Sequence, residues 1–156
     1  MEQNQNFMRR AIALADESVQ RGGGPFGAVI VKDGEIVAEG SNSVTLLSDP
    51  TAHAEVTAIR GACRQLGTFH LEGCTIYTSC EPCPMCLGAI YWAGIQRIYY
   101  GNTRKDAADI GFADEFIYEE LERPLEERRL PIRQLLRDEA RGSFRRWKEK
   151  TDKVTY

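Results

Sequence analysis

The first fifty residues change from a helical to a strand-like spacing of apolar side chains. Residues 6–20 carry apolar residues three and four positions apart, which predicts an amphipathic helix, and the glycines at 22–24 end it. Residues 26–40 form two short apolar runs on either side of Asp33-Gly34, a pair typical of a β-hairpin turn. Residues 41–51 have neither spacing, so a loop is predicted there.

Helical and strand-like spacings alternate in the next fifty residues. Residues 53–67 have helical spacing, and residues 74–79 form a short run that favours a strand. A second helix is predicted from Pro82 to residue 93, with the proline in its first turn, and residues 95–101 predict another strand. The alternation from residue 70 onward indicates an α/β protein built from layers of helices and sheet.

The C-terminal third is less regular than the rest of the chain. Residues 113–122 have helical spacing, and residues 143–150 predict a last helix before a polar tail. Residues 131–136 are ambiguous, and one interpretation is a fifth strand. A chain of 156 residues fits one domain with one core, so we assign residues 1–156 to a single domain.

Composition mainly excludes classes of protein. Hydrophobic residues make up 42% of the chain and charged residues 28%, which is ordinary for a globular domain. No apolar run reaches the roughly 18 residues that would span a bilayer, so no membrane partner is expected. The polar N-terminus lacks the apolar stretch of a secretory signal, and we therefore expect a cytoplasmic protein.

Charge is unevenly distributed along the chain. Residues 1–122 hold 17 acidic and 9 basic side chains, net −8, whereas residues 123–156 hold 6 acidic and 11 basic ones, net +5. The basic end has three interpretations: contact with nucleic acid, docking on an acidic surface of the same or a partner chain, or a solvated amphipathic helix. The net charge of −3 for the whole chain argues against RNA, so no nucleic-acid partner is expected.

Two segments about thirty residues apart contain the residue types that bind zinc. His53 lies at the start of one predicted helix, and Cys83 and Cys86 lie three residues apart at the start of another. Sulfurs at that spacing face one side of a helix, and a helix N-terminus favours the thiolate that zinc binds. If the two helix starts meet, one imidazole and two thiolates leave a fourth tetrahedral position for water. That arrangement is typical of a catalytic zinc, not of a structural one.

Glu55 follows His53 by two residues and is the predicted proton carrier. On an ideal helix the two side chains would point about 200° apart. The geometry of a helix start is looser, so Glu55 can reach the water without binding the metal. A carboxylate in that place takes a proton from the water and delivers it to a leaving group, which makes Glu55 a candidate catalytic residue.

Cys80 leaves an alternative open, because the segment C-E-P-C-P-M-C contains two overlapping C-x-x-C pairs. Cys80 lies at the predicted end of a strand, outside the helix face that Cys83 and Cys86 share, so we assign it a structural role. If it were a fourth ligand, the site would be closed and would not be catalytic. Cys63 and Cys74 have the character of small buried apolar residues.

H-x-E at 53–55 followed by P-C-x-x-C at 82–86 is the signature of zinc nucleobase deaminases. With P-F-G-A-V-I-V-K-D-G at 25–34, these segments resemble the cytidine-deaminase-like superfamily, and G-F-A-D-E-F-I-Y-E-E at 111–120 resembles its bacterial guanine deaminases. The resemblance covers nearly the whole chain. It implies a three-layer α/β/α sandwich with a mixed five-stranded sheet and a Zn²⁺ cofactor. It also implies a homodimer in which the C-terminal segment, residues 131–156, crosses over and closes the partner's active site.

The resemblance further implies the reaction, hydrolytic deamination of guanine to xanthine and ammonia, and the residues that bind the base. Asp114 is the discriminating one, since a carboxylate accepts hydrogen bonds from N1–H and the 2-amine of guanine but repels N1 of adenine. We also assign it to the catalytic residues beside Glu55. From pattern alone Asp114 fits a helix cap, Asn42 a turn and the aromatic residues a core. The expected substrate contacts are Phe26 as a stacking wall, Asn42 facing O6 or N7, Ala54, Trp92 as an apolar contact, Asp114 and the terminal Tyr156.

Two other functions stay open on the sequence. The motifs at 25–34, 53–55 and 82–86 also resemble tRNA adenosine deaminases, in which case the basic end would bind RNA and binding would weaken steeply with salt. The second is a non-enzymatic zinc module, which predicts a closed four-ligand site and no turnover. A further candidate substrate is another small base of the kind that enzymes of the same superfamily deaminate.

Overall fold

A mixed sheet of four strands organises residues 1–115, the first of two compact units into which the chain divides. The computed structural model describes residues 1–156. The strands are β1 Gly27–Lys32, β2 Glu35–Ser41, β3 Cys74–Cys80 and β4 Arg97–Asn102. They lie in the order β2-β1-β3-β4, in which β1 is antiparallel to both its neighbours and β4 runs parallel to β3.

Helices cover both faces of this sheet. Those of the first unit are α1 Glu2–Gln20, α2 Val44–Leu47, α3 Ala54–Leu66, α4 Pro84–Trp92 and α5 Arg104–Asp109. Successive residues of a strand point to opposite faces, so Val29 and Val31 of β1 pack with α1, whereas Ala28 and Ile30 pack with α3 and α4. The first unit therefore has helices, sheet and helices in three layers, as the α/β prediction requires.

Glycines at positions 34 and 40 permit a tight hairpin turn and a close approach of α3 to the sheet. Asp33 and Gly34 both have positive φ, 50° and 82°, as the predicted tight hairpin turn demands. On β2, a Cβ at Gly40 would lie 2.2 Å from the carbonyl oxygen of Ala54, so only glycine lets α3 begin this close to the sheet. A side chain at position 40 would displace the helix start that carries His53.

The structure has four strands, so the expectation of a fifth is wrong for this chain. Residues 131–136 form neither strand nor helix. Pro131 has no N–H to give to a neighbouring strand, and the side chain of Leu135 is 82% exposed, so the segment neither pairs nor buries an apolar face.

Helix bounds differ from the prediction at several ends. α1 begins at Glu2, four residues earlier than expected. α4 begins at Pro84 with Cys83 as its N-cap, so Pro82 lies before the helix instead of in its first turn. A proline at the first helical position loses no hydrogen bond, which explains why Pro84 occupies it. None of the helices combines the length and apolar composition that crossing a bilayer requires.

The second compact unit is residues 116–156. It contains most of α6, Glu115–Glu122, then a short 3-10 helix, Leu125–Glu127, and α7, Arg137–Glu149, which begins six residues before the predicted helix. α6 buries none of its residues and α7 buries only Gly142. The unit therefore has little hydrophobic core of its own, and the assignment of the whole chain to one domain stays a prediction.

Candidate active site

Two helix N-termini bring the predicted zinc ligands together. His53 is the N-cap of α3 and Cys83 is the N-cap of α4, both in extended backbone conformation. Neither side chain caps its own helix, so both are available to the site. Cys86 follows in the first turn of α4 and is fully buried. Two segments thirty residues apart in the sequence thus place one imidazole and two sulfurs side by side.

The three ligand atoms have the spacing of a tetrahedral zinc site. Nδ1 of His53 lies 3.6 Å from Sγ of Cys83 and 3.5 Å from Sγ of Cys86, and the ligand atoms all lie within 4.8 Å of one another. Zn–S bonds of about 2.3 Å and Zn–N bonds of about 2.0 Å at tetrahedral angles place sulfur and nitrogen about 3.5 Å apart. His53, Cys83 and Cys86 therefore fit one zinc ion and leave a fourth position.

The surroundings of the two cysteines shift the pKa values of their thiols in opposite directions. The hydrogen bonds with Cys86 and, to a smaller extent, His53 lower the pKa of Cys83 to about 4 against the opposing effect of burial. The Cys83 contact and burial both raise the pKa of Cys86, since one proton is shared between two close sulfurs. The hydrogen bond with Cys83 in turn raises the pKa of His53. A metal cation would replace the proton that this cluster now shares.

Glu55 lies beside the ligand set without belonging to it. The residue is 5% exposed, and its Oε2 lies 3.3 Å from Sγ of Cys86. Burial raises the pKa of Glu55, with the hydrogen bonds from its own main chain, Cys86 and Thr78 acting in the opposite direction. A buried carboxyl group with a raised pKa next to the metal position can both accept and donate a proton. The loose helix start predicted from the sequence does let Glu55 reach the site.

Cys80 is close to the site but is not one of the three clustered ligands. Its side chain is buried, and its Sγ lies 3.7 Å from the main-chain oxygen of Thr103. Burial raises the pKa of Cys80 to about 11, so this sulfur stays a thiol at neutral pH. The open fourth position favours the catalytic interpretation over a closed structural zinc site.

One pocket of about 260 Å³ opens onto the ligand set. Phe26, Asn42 and Asp114 line it together with His53, Glu55 and Cys83, so the structure brings six predicted site residues into one cavity. Asp114 directly precedes α6, where the cap alternative would also place it. Burial raises the pKa of its carboxyl group.

The amide oxygen of Asn42 already accepts a hydrogen bond within the protein. The side chain is 7% exposed, and its Oδ1 accepts a hydrogen bond from the main-chain N–H of Val44 at 3.2 Å. This hydrogen bond fixes the orientation of the amide and uses one of the two lone pairs of Oδ1, whereas both N–H donors of the amide stay available to a ligand. The sequence suggested both a donor and an acceptor here, and the NH₂ donor is the less engaged of the two in the structure.

Three predicted contacts are not among the residues that line the pocket. Ala54 is fully buried between His53 and Glu55 at the first position of α3. Trp92 is 70% exposed at the end of α4 opposite Cys83 and Cys86. Tyr156 is 82% exposed and belongs to the second compact unit. Their substrate contacts stay predictions.

Some pocket residues were missed by sequence reasoning. Phe112 packs edge-to-face on Phe26, with ring centroids 5.0 Å apart and planes at 90°. Arg104, the first residue of α5, lines the pocket and donates its main-chain N–H to the carboxylate of Glu81 at 2.9 Å. Phe112 lies in the segment 111–120, which was singled out for its resemblance and not for a contact with the base. No motif marks Arg104, because α5 was not predicted.

The comparison with protein families assigns this site to a class. The family model of the cytidine and deoxycytidylate deaminase zinc-binding region matches residues 1–102, which include the three candidate ligands and Glu55. The match extends over more than half of the chain, so the chain belongs to this family of zinc deaminases.

Individual relatives narrow the comparison. The chain is 54% identical to guanine deaminase of Bacillus subtilis over 154 residues, which are 98% of this chain and 99% of the relative. The crystal structure of guanine deaminase from Bacillus subtilis aligns with a TM-score of 0.95 at 55% identity and covers 97% of this chain and 98% of that one. The tRNA-specific adenosine deaminase of Aquifex aeolicus is 46% identical over 99 residues, 64% of this chain and 66% of the relative. The likeness to the tRNA-specific adenosine deaminase thus leaves out about a third of the chain.

Proposed function

We propose that the chain catalyses the zinc-dependent hydrolysis of guanine to xanthine and ammonia. The observation that carries this proposal is the position of Asp114 in the same pocket as the His53, Cys83 and Cys86 ligand set and Glu55. The likeness to Bacillus subtilis guanine deaminase along 98% of the chain supports the same substrate. A tRNA adenosine deaminase is the weaker alternative, because that likeness ends after about two thirds of the chain.

Hydrogen-bonding groups at two sides of the pocket match guanine. Asp114 offers acceptors for N1–H and the 2-amine of the base. Asn42 offers its NH₂ donor to O6 or N7, both of which are acceptors. Adenine carries an acceptor at N1 and an amine at C6. Its N1 would therefore face the carboxylate of Asp114, which is also an acceptor, and at best the base would keep the contact between N7 and Asn42. A site with buried polar groups rejects such a base strongly, because its own groups are left unpaired.

An aromatic wall orients the flat base. Phe26 lines the pocket, and the edge-to-face contact with Phe112 restrains its ring. Position 24 also matters for the fit, because a Cβ at Gly24 would lie 3.2 Å from Cγ of Asn42. A side chain there would press on the amide that faces the substrate.

The chemistry depends on moving protons at the right atoms. His53, Cys83 and Cys86 would hold a zinc ion, which would supply the activation of water at neutral pH. Glu55 accepts a proton from the attacking water and delivers it to ring N3. It then accepts the remaining proton of the new hydroxyl on C2 and delivers it to the 2-amino nitrogen, which leaves as ammonia while C2 becomes a carbonyl. One water and one guanine thus give one xanthine and one ammonia, and Glu55 returns to its initial state.

The experiment that tests this function is a substrate panel. Zinc-loaded chain is incubated with guanine, adenine, cytosine and cytidine, and ammonia release is followed for each. The proposal expects release from guanine far above the other three bases. Ammonia release from adenine or cytidine with none from guanine would reject the proposal. In the variant Asp114→Asn, ammonia release from guanine should be lost.

We further propose that the chain acts as a homodimer in which residues 131–156 cross over to the partner's active site. Two features of single elements support a partner surface. α4 is apolar on all sides, yet Tyr91 is 77% and Trp92 70% exposed on it. In the second unit the side chains of Leu135 and Phe144 are 82% and 78% exposed, which a covering surface would bury.

Within this assembly we assign the three remaining contacts. Tyr156 reaches the partner's pocket, and Trp92 gives an apolar contact near it. Ala54 acts through its main-chain N–H, since its side chain is fully buried and the first N–H groups of a helix have no partner within it. We also propose a cytoplasmic location.

Mixing two inactive variants tests the crossover. One variant is Glu55→Gln with an intact C-terminus, and the other lacks residues 150–156 but keeps Glu55. If the segment crosses over, the mixed dimer has one site with both Glu55 and a C-terminus, so activity returns on mixing. If each segment closes its own site, no site is complete and the mixture stays inactive. Size-exclusion chromatography with light scattering verifies the dimer in each sample.

A further inference from the structure

A buried hydroxyl on β3 holds the carboxylate of Glu55. Thr78 is 1% exposed, and its Oγ1 lies 3.0 Å from Oε1 of Glu55. The same hydroxyl lies 2.9 Å from the main-chain oxygen of Cys80, at the end of the strand. A threonine hydroxyl has a single hydrogen, so this hydrogen is shared between the two oxygens, and the hydroxyl lies between the rigid sheet and the side chain of Glu55.

This contact divides the two oxygens of Glu55 between two tasks. Oε1 is the oxygen held by Thr78, and Oε2 is the oxygen that lies 3.3 Å from Sγ of Cys86, beside the ligand set. A glutamate side chain has three rotatable bonds, and burial alone does not select one of its conformations. The hydroxyl supplies the directional contact that aims Oε2 at the reacting atoms.

We propose that Thr78 is a positioning residue for the deamination, which directs Oε2 of Glu55 towards the ligand set by holding Oε1. This inference rests on the proposed function and adds to it a residue that does not touch the base. Small displacements of a proton-carrying group cost large factors in rate, so the effect belongs in kcat. Base binding uses Asn42 and Asp114, so KM is left nearly unchanged.

Two substitutions separate positioning from simple packing. Thr78→Val keeps the shape of the side chain but removes the hydroxyl, and Oε1 of Glu55 loses its partner in a buried place. Thr78→Ser keeps the hydroxyl but removes a buried methyl group. A packing role predicts that serine is the more harmful change, whereas a positioning role predicts that valine is.

The test uses the zinc-loaded full chain of the wild type, both variants and the control Thr75→Val, which lies on the same strand about 10 Å away. We expect Thr78→Val to lower kcat for guanine by about 10- to 100-fold with KM within about threefold. Thr78→Ser and Thr75→Val are expected to stay within about threefold of the wild type. Zinc per chain should be equal in all four proteins, and crystal structures should show Glu55 rotated only in Thr78→Val.

Each outcome decides the inference. A wild-type kcat in Thr78→Val, or a serine variant as slow as the valine one, would overturn it. If Thr78→Val does not fold, Thr78→Ala takes its place with the same expected loss of kcat. If the wild type releases no ammonia from guanine, the proposed function fails, and the inference is then judged by the orientation of Glu55 in the crystal structures. An unchanged Glu55 in Thr78→Val would reject it independently of turnover.

Discussion

Replacing Glu55 by glutamine removes the proposed proton carrier while keeping its size and shape. The side chain is 5% exposed, and its two oxygens face Thr78 and Cys86 at 3.0 and 3.3 Å. In Glu55→Gln the amide oxygen can still accept the hydroxyl of Thr78, and the NH₂ group can donate to the sulfur. Burial disfavours the ionised carboxyl group that it replaces, so we expect folding and zinc binding to be preserved.

The size of the effect follows from the role of the residue. A positioned acid or base contributes roughly 10²- to 10⁴-fold to a rate, which corresponds to about 2.7 to 5.4 kcal/mol of transition-state stabilisation. The amide of glutamine neither takes up nor releases a proton near neutral pH. We therefore expect kcat for guanine to fall by at least about 100-fold.

The assay follows xanthine formation by absorbance and ammonia release in parallel. Zinc per chain and the melting temperature are measured on the same samples. Glu72→Gln, an exposed glutamate in a loop outside the pocket, is the matched control and should behave as the wild type. Turnover by Glu55→Gln within about threefold of the wild type, with normal zinc content, would refute the role of Glu55.

The remaining predictions concern the substrate pocket and one ion pair. Asp114→Ala should lose at least about 100-fold in kcat/KM for guanine with zinc content intact; full activity would remove Asp114 from the pocket. Asn42→Asp keeps an acceptor for the N–H of Val44 but replaces the donor that faces the base, so kcat/KM should fall by at least about tenfold, and an unchanged value would contradict the assigned amide orientation. Arg10 binds Glu39 through two contacts of 2.7 and 2.8 Å, and because both side chains are over a third exposed, a double-mutant cycle should give only about 0.5 kcal/mol at pH 7. The Arg10 hydrogen bond lowers the pKa of Glu39 below 4.5, so this coupling is complete above the ordinary glutamate value and is lost as pH falls through the lowered one; a coupling constant down to pH 2 would contradict it.

The cluster of candidate zinc ligands was predictable because the information that places each of them is local. His53, Cys83 and Cys86 lie at helix starts that turn residues, proline and apolar spacing mark in the sequence, and their chemistry depends on those starts. The position of Glu55 beside this cluster was predictable for the same reason. What the sequence did not contain was the distance between the two helix starts, which depends on close packing such as that of Gly40 against α3.

Contacts that depend on tertiary structure were not predictable. Thr78 is one of several threonines in apolar surroundings, and only the folded sheet places its hydroxyl against Glu55. The amide of Asn42 was correctly expected in the pocket, but its orientation follows from the N–H of Val44. The fifth strand was an expectation at an ambiguous segment, and Pro131 with its exposed neighbours shows why it does not form.

Metal dependence with guanine as substrate is the most direct test of the central claim. The chain is stripped with a chelator, reloaded with zinc in steps up to one equivalent, and xanthine formation from guanine is measured at each step. The account predicts no turnover without metal and a linear return of activity that ends at one zinc per chain. Full turnover by the stripped chain, or a reloaded chain that binds one zinc and leaves guanine unchanged, would contradict it.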